Sequence, residues 1–344
     1  VVISLKYDAQ GLEAQRTFTI NGANQQMVQI YDDVDQMIER TLSKRTLNDE
    51  EVIREERYGY DLRGRLTQYD CSGTQRPVDP YGNTITRQVF SFDGLNNLIL
   101  VTTTFDGGSN RARYFYEGID PAQLTRVTNS HSAYPSVISL TYDPDGNLVS
   151  DEAGRTLSYD PLGRLLEVSL PPAATHYRYD PQDRLAGEAD EQRFYRDGVL
   201  ASQLGASQNS TYMRGDGYLL AEQQGSSALL FATSLSNSVL SEVHASGTSS
   251  RRYTVYGHAS GEEPPSGRLG FNGELHEPLT EWQLLGNGYR AYNPVLMRFH
   301  SPDSLSPFGE GGLNAYAYGE GDSVNGVDPT GHGWFKLPSV PSQN

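Results

Sequence analysis

Tyr-Asp pairs recur along the first half of the chain, at Tyr7-Asp8, Tyr31-Asp32, Tyr60-Asp61, Tyr69-Asp70, Tyr142-Asp143, Tyr159-Asp160 and Tyr179-Asp180. Random placement would give roughly one or two such pairs, so this density defines an internal repeat. Phe92-Asp93 and Phe105-Asp106 read as degenerate copies. Four pairs open a longer unit: YDLRGRL at 60–66, YDPDGNL at 142–148, YDPLGRL at 159–165 and YDPQDRL at 179–185. The last three begin 17 and then 20 residues apart, too irregular for a heptad or a helical solenoid.

The unit spells a turn between strands. An Asp side chain accepts from backbone N–H groups ahead of it, a following Pro fixes φ at about −65°, and a Gly three residues after the Asp supplies a positive φ. Alternation of period two flanks the turns, the mark of strands with two different faces. Leu166, Val168 and Leu170 are expected on one face, with Leu165, Glu167 and Ser169 on the other. Tyr177 and Tyr179 are expected to point together, opposite Arg178. Each unit is thus a hairpin presenting Tyr at a fixed strand position, and stacked rings contribute about 0.2–1 kcal/mol per cross-strand pair. A two-sheet sandwich with a Tyr-filled core is the competing arrangement, but many units are polar on both faces.

Composition sharpens this reading. Hydrophobic residues make up 36% of the chain, thin for one large core, so sheets that meet water on a large share of their area, on both faces, are expected. A net charge of −16 argues against a nucleic-acid partner, because backbone binding needs clustered Lys and Arg. Cys71 is alone, so no internal disulfide forms and an inert, half-buried thiol is expected. No apolar run approaches about 18 residues, so no membrane-spanning helix and no direct membrane insertion are expected. The opening VVISLKYDAQ lacks signal-peptide features and reads as a strand in progress, so the chain is expected to be a piece of something longer.

From about residue 199 the pattern changes. Apolar stretches alternate with Gly/Ser turns over 199–243, a turn-rich GEEPPSG spans 261–267, and a dense block fills 268–332. The YDxxGRL units, followed by GFNGE, LGNGYRAYNPVLMRF, SPDSLSPFGEGGLNAYAY and DPTGH, resemble the RHS/YD-repeat family with its RHS-associated core. The wording at 284–332 is similar to the C components of bacterial insecticidal ABC toxin complexes.

That resemblance implies an all-β fold: a large single-layer antiparallel sheet wound in a spiral, part of a hollow RHS cocoon, with a C-terminal core or plug. It implies a YD-repeat shell over 1–198, an RHS-associated core over 199–332, and the start of a variable region over 333–344. The implied role is structural. The shell encloses and delivers a toxin polypeptide encoded C-terminal to it, secreted or delivered extracellularly from a bacterium. At about 12 residues per strand and turn, the chain supplies about 28 strands and ~130 Å of sheet, one circuit at most. A B-type shell partner or an upstream shell chain would complete the enclosure. An acidic lumen holding a basic, unfolded cargo is the electrostatic expectation.

In many members the core also frees the toxin as an intramolecular aspartyl protease. The resemblance assigns those roles to Arg298, to Asp303 in SPDS and to Asp328 in DPTG. Two acids that share a proton supply an acid and a base, and an arginine holds an ionised carboxylate or orients the pair. This chain has Ser304 where SPDP is usual and His332 where Leu or Met usually follows DPxG, so a preserved site geometry with weak or absent cleavage is expected. Two alternatives stay open: an active self-cleaving protease, and a carbohydrate-binding or adhesion protein as the teneurin relatives suggest. Turn-forming aspartates without chemistry are the plainest reading of Asp303 and Asp328. The Tyr positions track hairpins and not one concave site, which favours wall packing over sugar binding.

No metal or cofactor is implied. Asp143, Asp145, Asn147 and Asp151 begin like a calcium loop, but Leu148 and Gly154 stand where an EF-hand needs Gly and Glu. The seven histidines lack ligand spacing. GNG at 286–288 and GEGG at 309–312 lack a following Lys-Ser/Thr and read as turns. Asn209-Ser210-Thr211 matches a glycosylation sequon, a frequent chance match.

Overall fold

A computed structural model describes residues 1–20, 23–45, 49–206, 208–261 and 265–337. Residues 262–264 of the turn-rich loop and 338–344 of the expected variable region lie outside the described residues. Strands follow one another as a meander. Eleven, from Val2–Tyr7 to Val137–Ser139, form a first sheet in strict chain order. Six, from Thr141–Tyr142 to Leu185–Glu188, form a second, and eight, from Gln192–Arg196 to Ala259–Gly261, a third. Neighbours pair antiparallel. The all-β fold of open antiparallel sheets that the resemblance implies is what the chain forms.

The repeat turn builds this wall by one hydrogen-bond scheme. In the hairpins of Asp8, Asp32, Asp61, Asp93, Asp143, Asp160 and Asp180, Asp Oδ1 accepts the N–H groups two and four residues ahead, at 2.8–3.1 Å. The third residue after the Asp adopts positive φ, as Gly in four of these turns and as Asp35, Asn96 or Asp183 in the others. In five of the seven turns the fourth residue serves the acid's second oxygen. Arg65, Arg164 and Arg184 donate Nε–H to it, and Asn97 and Asn147 donate an amide N–H. The endings GRL and GNL are two solutions to one need.

Strict alternation misses one feature of the register. Ser158 faces Glu167 while Tyr159 faces Leu165, so Leu166 is bulged out of the ladder. The same skip recurs at Tyr7, Tyr31, Tyr60, Tyr142 and Tyr179. Leu165 and Val168 are therefore buried, and Leu166 and Leu170 exposed, which corrects the expected face assignment. Tyr177 is buried and Arg178 exposed, as alternation requires there.

The tyrosines staple hairpin to hairpin. The hydroxyls of Tyr31, Tyr60, Tyr116, Tyr179 and Tyr195 donate to the carbonyls of Glu13, Met37, Leu98, Leu165 and Leu185, at 2.7–3.1 Å. Each acceptor lies five residues after the Asp of the preceding turn. Such a bond contributes about 1 kcal/mol and leaves the ring as wall, not as a sugar platform.

The wall does not wet both faces, which corrects the expectation drawn from composition. Phe18, Met27, Leu42 and Ile53 of the first sheet pack with Ala232 and Leu240 of the third. A larger cluster joins wall residues such as Tyr69, Phe90 and Val101 to Tyr292, Phe299 and Tyr318 of the C-terminal plug. The wall winds onto its own plug. Several charges taken inside are paired: Glu13 with Arg16, Glu56 with Arg40 and Arg54, Glu242 with Arg251, and Glu277 with Arg193. These buried carboxylates are compensated by arginines. Cys71 is buried, and burial pushes its thiol up to about 12.

Candidate functional site

The plug is built on three short strands, Gln283–Leu284, Arg290–Asn293 and Arg298–Phe299. The DPTG turn folds back onto the bend between the first two. Gly286 donates its N–H to the Pro329 carbonyl at 3.2 Å, and a Cβ at Gly286, where φ is +63°, would stand 2.1 Å from the Thr330 oxygen. Gly311 of the GEGG loop has the same kind of duty: a Cβ there would lie 2.7 Å from Asp303 Cγ. Gly311 thus lets backbone close over Asp303, and Gly286 lets the DPTG turn close on the bend.

Asp303 and Asp328 meet at one guanidinium, that of Arg290. Its Nη2 is 2.9 Å from Asp303 Oδ2 and 3.9 Å from Asp328 Oδ2. Nη1 donates to the Ala315 carbonyl at 2.8 Å, and Nε donates to the carbonyl of Gly331. The Phe299 ring lies 3.7 Å beneath. The acid side chains are 1% and 3% exposed. Asp303 Oδ1 also accepts the Leu305 N–H at 2.9 Å and sits 2.8 Å from His332 Nδ1. Asp328 Oδ1 accepts the Gly333 N–H at 3.2 Å and the Thr330 hydroxyl at 3.4 Å.

Burial raises the Asp328 pKa. Arg290 and the N–H groups of Gly333 and Gly331 oppose that shift, and the charge of Asp303 adds to it. Arg290 itself is lowered by burial, against the pull of both carboxylates. Beside Asp328 opens a cavity of about 490 Å³, walled by Leu235, Leu269 and Leu285 and carrying Arg214 and Glu274. Burial pushes Glu274 up to about 7, with Arg214 opposing and Asp328 reinforcing. Two carboxylates thus share one arginine, with a peptide segment across them and a cavity alongside.

Of the three residues the sequence singled out, Asp303 and Asp328 come together and Arg298 does not join them. Arg298 donates to the Tyr116 hydroxyl at 3.0 Å and to the Ala122 carbonyl, tying plug to wall. The expectation that Arg298 holds the pair is corrected: strand Arg290–Asn293 carries the arginine that does. Arg290 and Arg298 are both flanked by aromatics in one block, and only the hairpin pairing between their strands decides which faces the acids. His332 was singled out only as a departure in wording, and its contact with Asp303 needs the DPTG turn in three dimensions. No group of three or more His, Cys, Asp or Glu able to hold a metal occurs among the described residues. None of the described helices is long and apolar enough to cross a membrane.

A one-layer antiparallel wall, stapled by tyrosines and wound onto its own C-terminal plug, defines a YD-repeat shell. The chain belongs to the Teneurin YD-shell family, which it matches over residues 1–310. Arg290 and Asp303 fall inside that match, Asp328 and His332 beyond it. It is 24% identical over 271 residues to the tRNA3(Ser)-specific nuclease WapA of Bacillus spizizenii, covering 72% of this chain and 11% of that protein. Among solved structures it resembles the TcdB2-TccC3-Cdc42 crystal structure, with a TM-score of 0.66, 18% identity and 96% of this chain covered. It is also similar to the Photorhabdus luminescens Tc holotoxin pore, with a TM-score of 0.63, 17% identity and 99% covered. The chain spans 19% and 20% of those solved chains.

Proposed function

We propose that this chain is a shell segment that helps enclose and deliver a polypeptide continuing beyond Asn344, in a bacterial toxin system acting outside the producing cell. The observation that carries this reading is the closure of the wall onto a plug from which the chain's C-terminal strand, Phe335–Lys336, emerges paired to Gly326–Val327. Strand Val2–Tyr7 pairs on one side only among the described residues, leaving an edge on which an upstream shell chain or a B-type partner can add strands. The variable region expected to begin at 333 is the cargo end in this reading. Protease protection of a reporter fused after Asn344 in the full-length protein tests it.

A second reading is favoured by the grip of Arg290 on the Gly331 carbonyl: the Asp303–Asp328 pair hydrolyses a peptide bond in the 331–333 segment. One water is added. Its oxygen bonds the carbonyl carbon, one carboxylate takes its proton, and the other carboxyl gives a proton to the departing nitrogen. In a reporter fusion, wild type is expected to yield a fragment cut within 331–333 by mass spectrometry, and Asp328→Asn to stay at full length. Identical full-length migration of both proteins would show that the wild-type chain does not cut itself and would leave the shell reading intact.

A further inference from the structure

We infer that His332 is a positioning residue that holds the Asp303–Asp328 pair at rest, by occupying the carboxylate oxygen a water must reach. This rests on the reading of the pair as a self-cleaving site. Both acceptor positions of Asp303 Oδ1 are taken, by the Leu305 N–H and by His332 Nδ1 at 2.8 Å, while Oδ2 is turned to Arg290 with the Gly311 backbone close over it. A carboxylate oxygen offers about two acceptor positions, so for a water to reach Oδ1, the oxygen not turned to Arg290, one of its two donors has to leave. Arg290 is buried and bound four ways, and Leu305 donates from backbone. His332 is the removable one, with a side chain 27% exposed.

The imidazole is held in place by a latch of its own. The Tyr289 ring lies against it, with centroids 3.9 Å apart. Tyr289 is fixed in turn by Ser304, whose N–H donates to the Tyr289 oxygen at 3.0 Å and whose hydroxyl accepts from it at 2.9 Å. A proline at 304 would have no N–H to give, and an aliphatic residue at 332 no donor for Asp303. The chain of contacts Ser304, Tyr289, His332, Asp303 couples an exposed loop to the buried acid, and both ends use chemistry that other residue types lack.

The test is the time course of cleavage in the full-length reporter fusion, for wild type, His332→Leu, His332→Asn and His332→Leu with Asp328→Asn. His332→Leu is expected to cut at least tenfold faster than wild type, a gain that a merely structural role does not produce. His332→Asn restores a donor and is expected to cut more slowly than His332→Leu, and the double variant not at all. If wild type cuts and His332→Leu cuts no faster, the resting lock is overturned while self-cleavage stands. If neither wild type nor a folded His332→Leu cuts at all, self-cleavage itself fails and the lock falls with it.

Discussion

Arg290→Ala is expected to destabilise the fold by about 3–5 kcal/mol, the cost of removing one partner from a buried ion pair. Asp303 and Asp328 are then left buried with no counter-charge, and the Gly331 and Ala315 carbonyls lose their donor. The loss has a pH signature. Without the guanidinium the folded-state pKa of Asp328, already raised by burial, rises further above about 3.9, so the native state binds more protons than the unfolded chain. Stability of the variant therefore falls as pH increases, and its gap from wild type widens from about pH 4 to pH 7. Urea unfolding at both values checks this. Arg298→Ala removes bonds to Tyr116 and Ala122 and contacts with the Tyr116 and Tyr316 rings, but no bond to a carboxylate, and is expected to show no such widening.

The second large effect lies where the wall closes. Arg16 and Glu13 are fully buried and joined by two short bonds, Nε–Oε1 at 2.7 Å and Nη2–Oε2 at 2.6 Å. Arg16 Nη1 then reaches the Thr233 carbonyl of the third sheet at 2.9 Å, and its guanidinium lies 4.7 Å from the Tyr218 ring centre. Arg16→Ala strands Glu13 in the interior and is expected to cost about 3–5 kcal/mol. It also unties the two sheets, so amide protection across Ser227–Thr233 is expected to drop more than across Thr156–Tyr159. By contrast Arg164→Ala, in one partly exposed turn, is expected to cost about 0–1 kcal/mol. Hydrogen exchange separates a local from a wall-wide loss.

The turn chemistry was legible because it is local. Asp160, Gly163 and Arg164 satisfy one another within five residues, and the spelling YDPLGR states the hydrogen bonds in advance. The bulge at Leu166 was not legible, because the skipped residue depends on the partner strand and not on the polarity of its neighbours. The packed interior was hidden for a similar reason. A low apolar share does not distinguish a wetted face from one covered with paired Glu and Arg, as at Glu242 and Arg251. Asp303 and Asp328 could be named from motif wording, whereas the choice of Arg290 over Arg298 needed the hairpin register that points one guanidinium inward.

The enclosure itself is tested most directly by protease digestion of the full-length protein carrying an unfolded reporter downstream of Asn344. The shell account predicts that the reporter survives under native conditions. It also predicts that digestion begins at the denaturant concentration where the wall unfolds. Digestion under native conditions at the rate of the free reporter would contradict it.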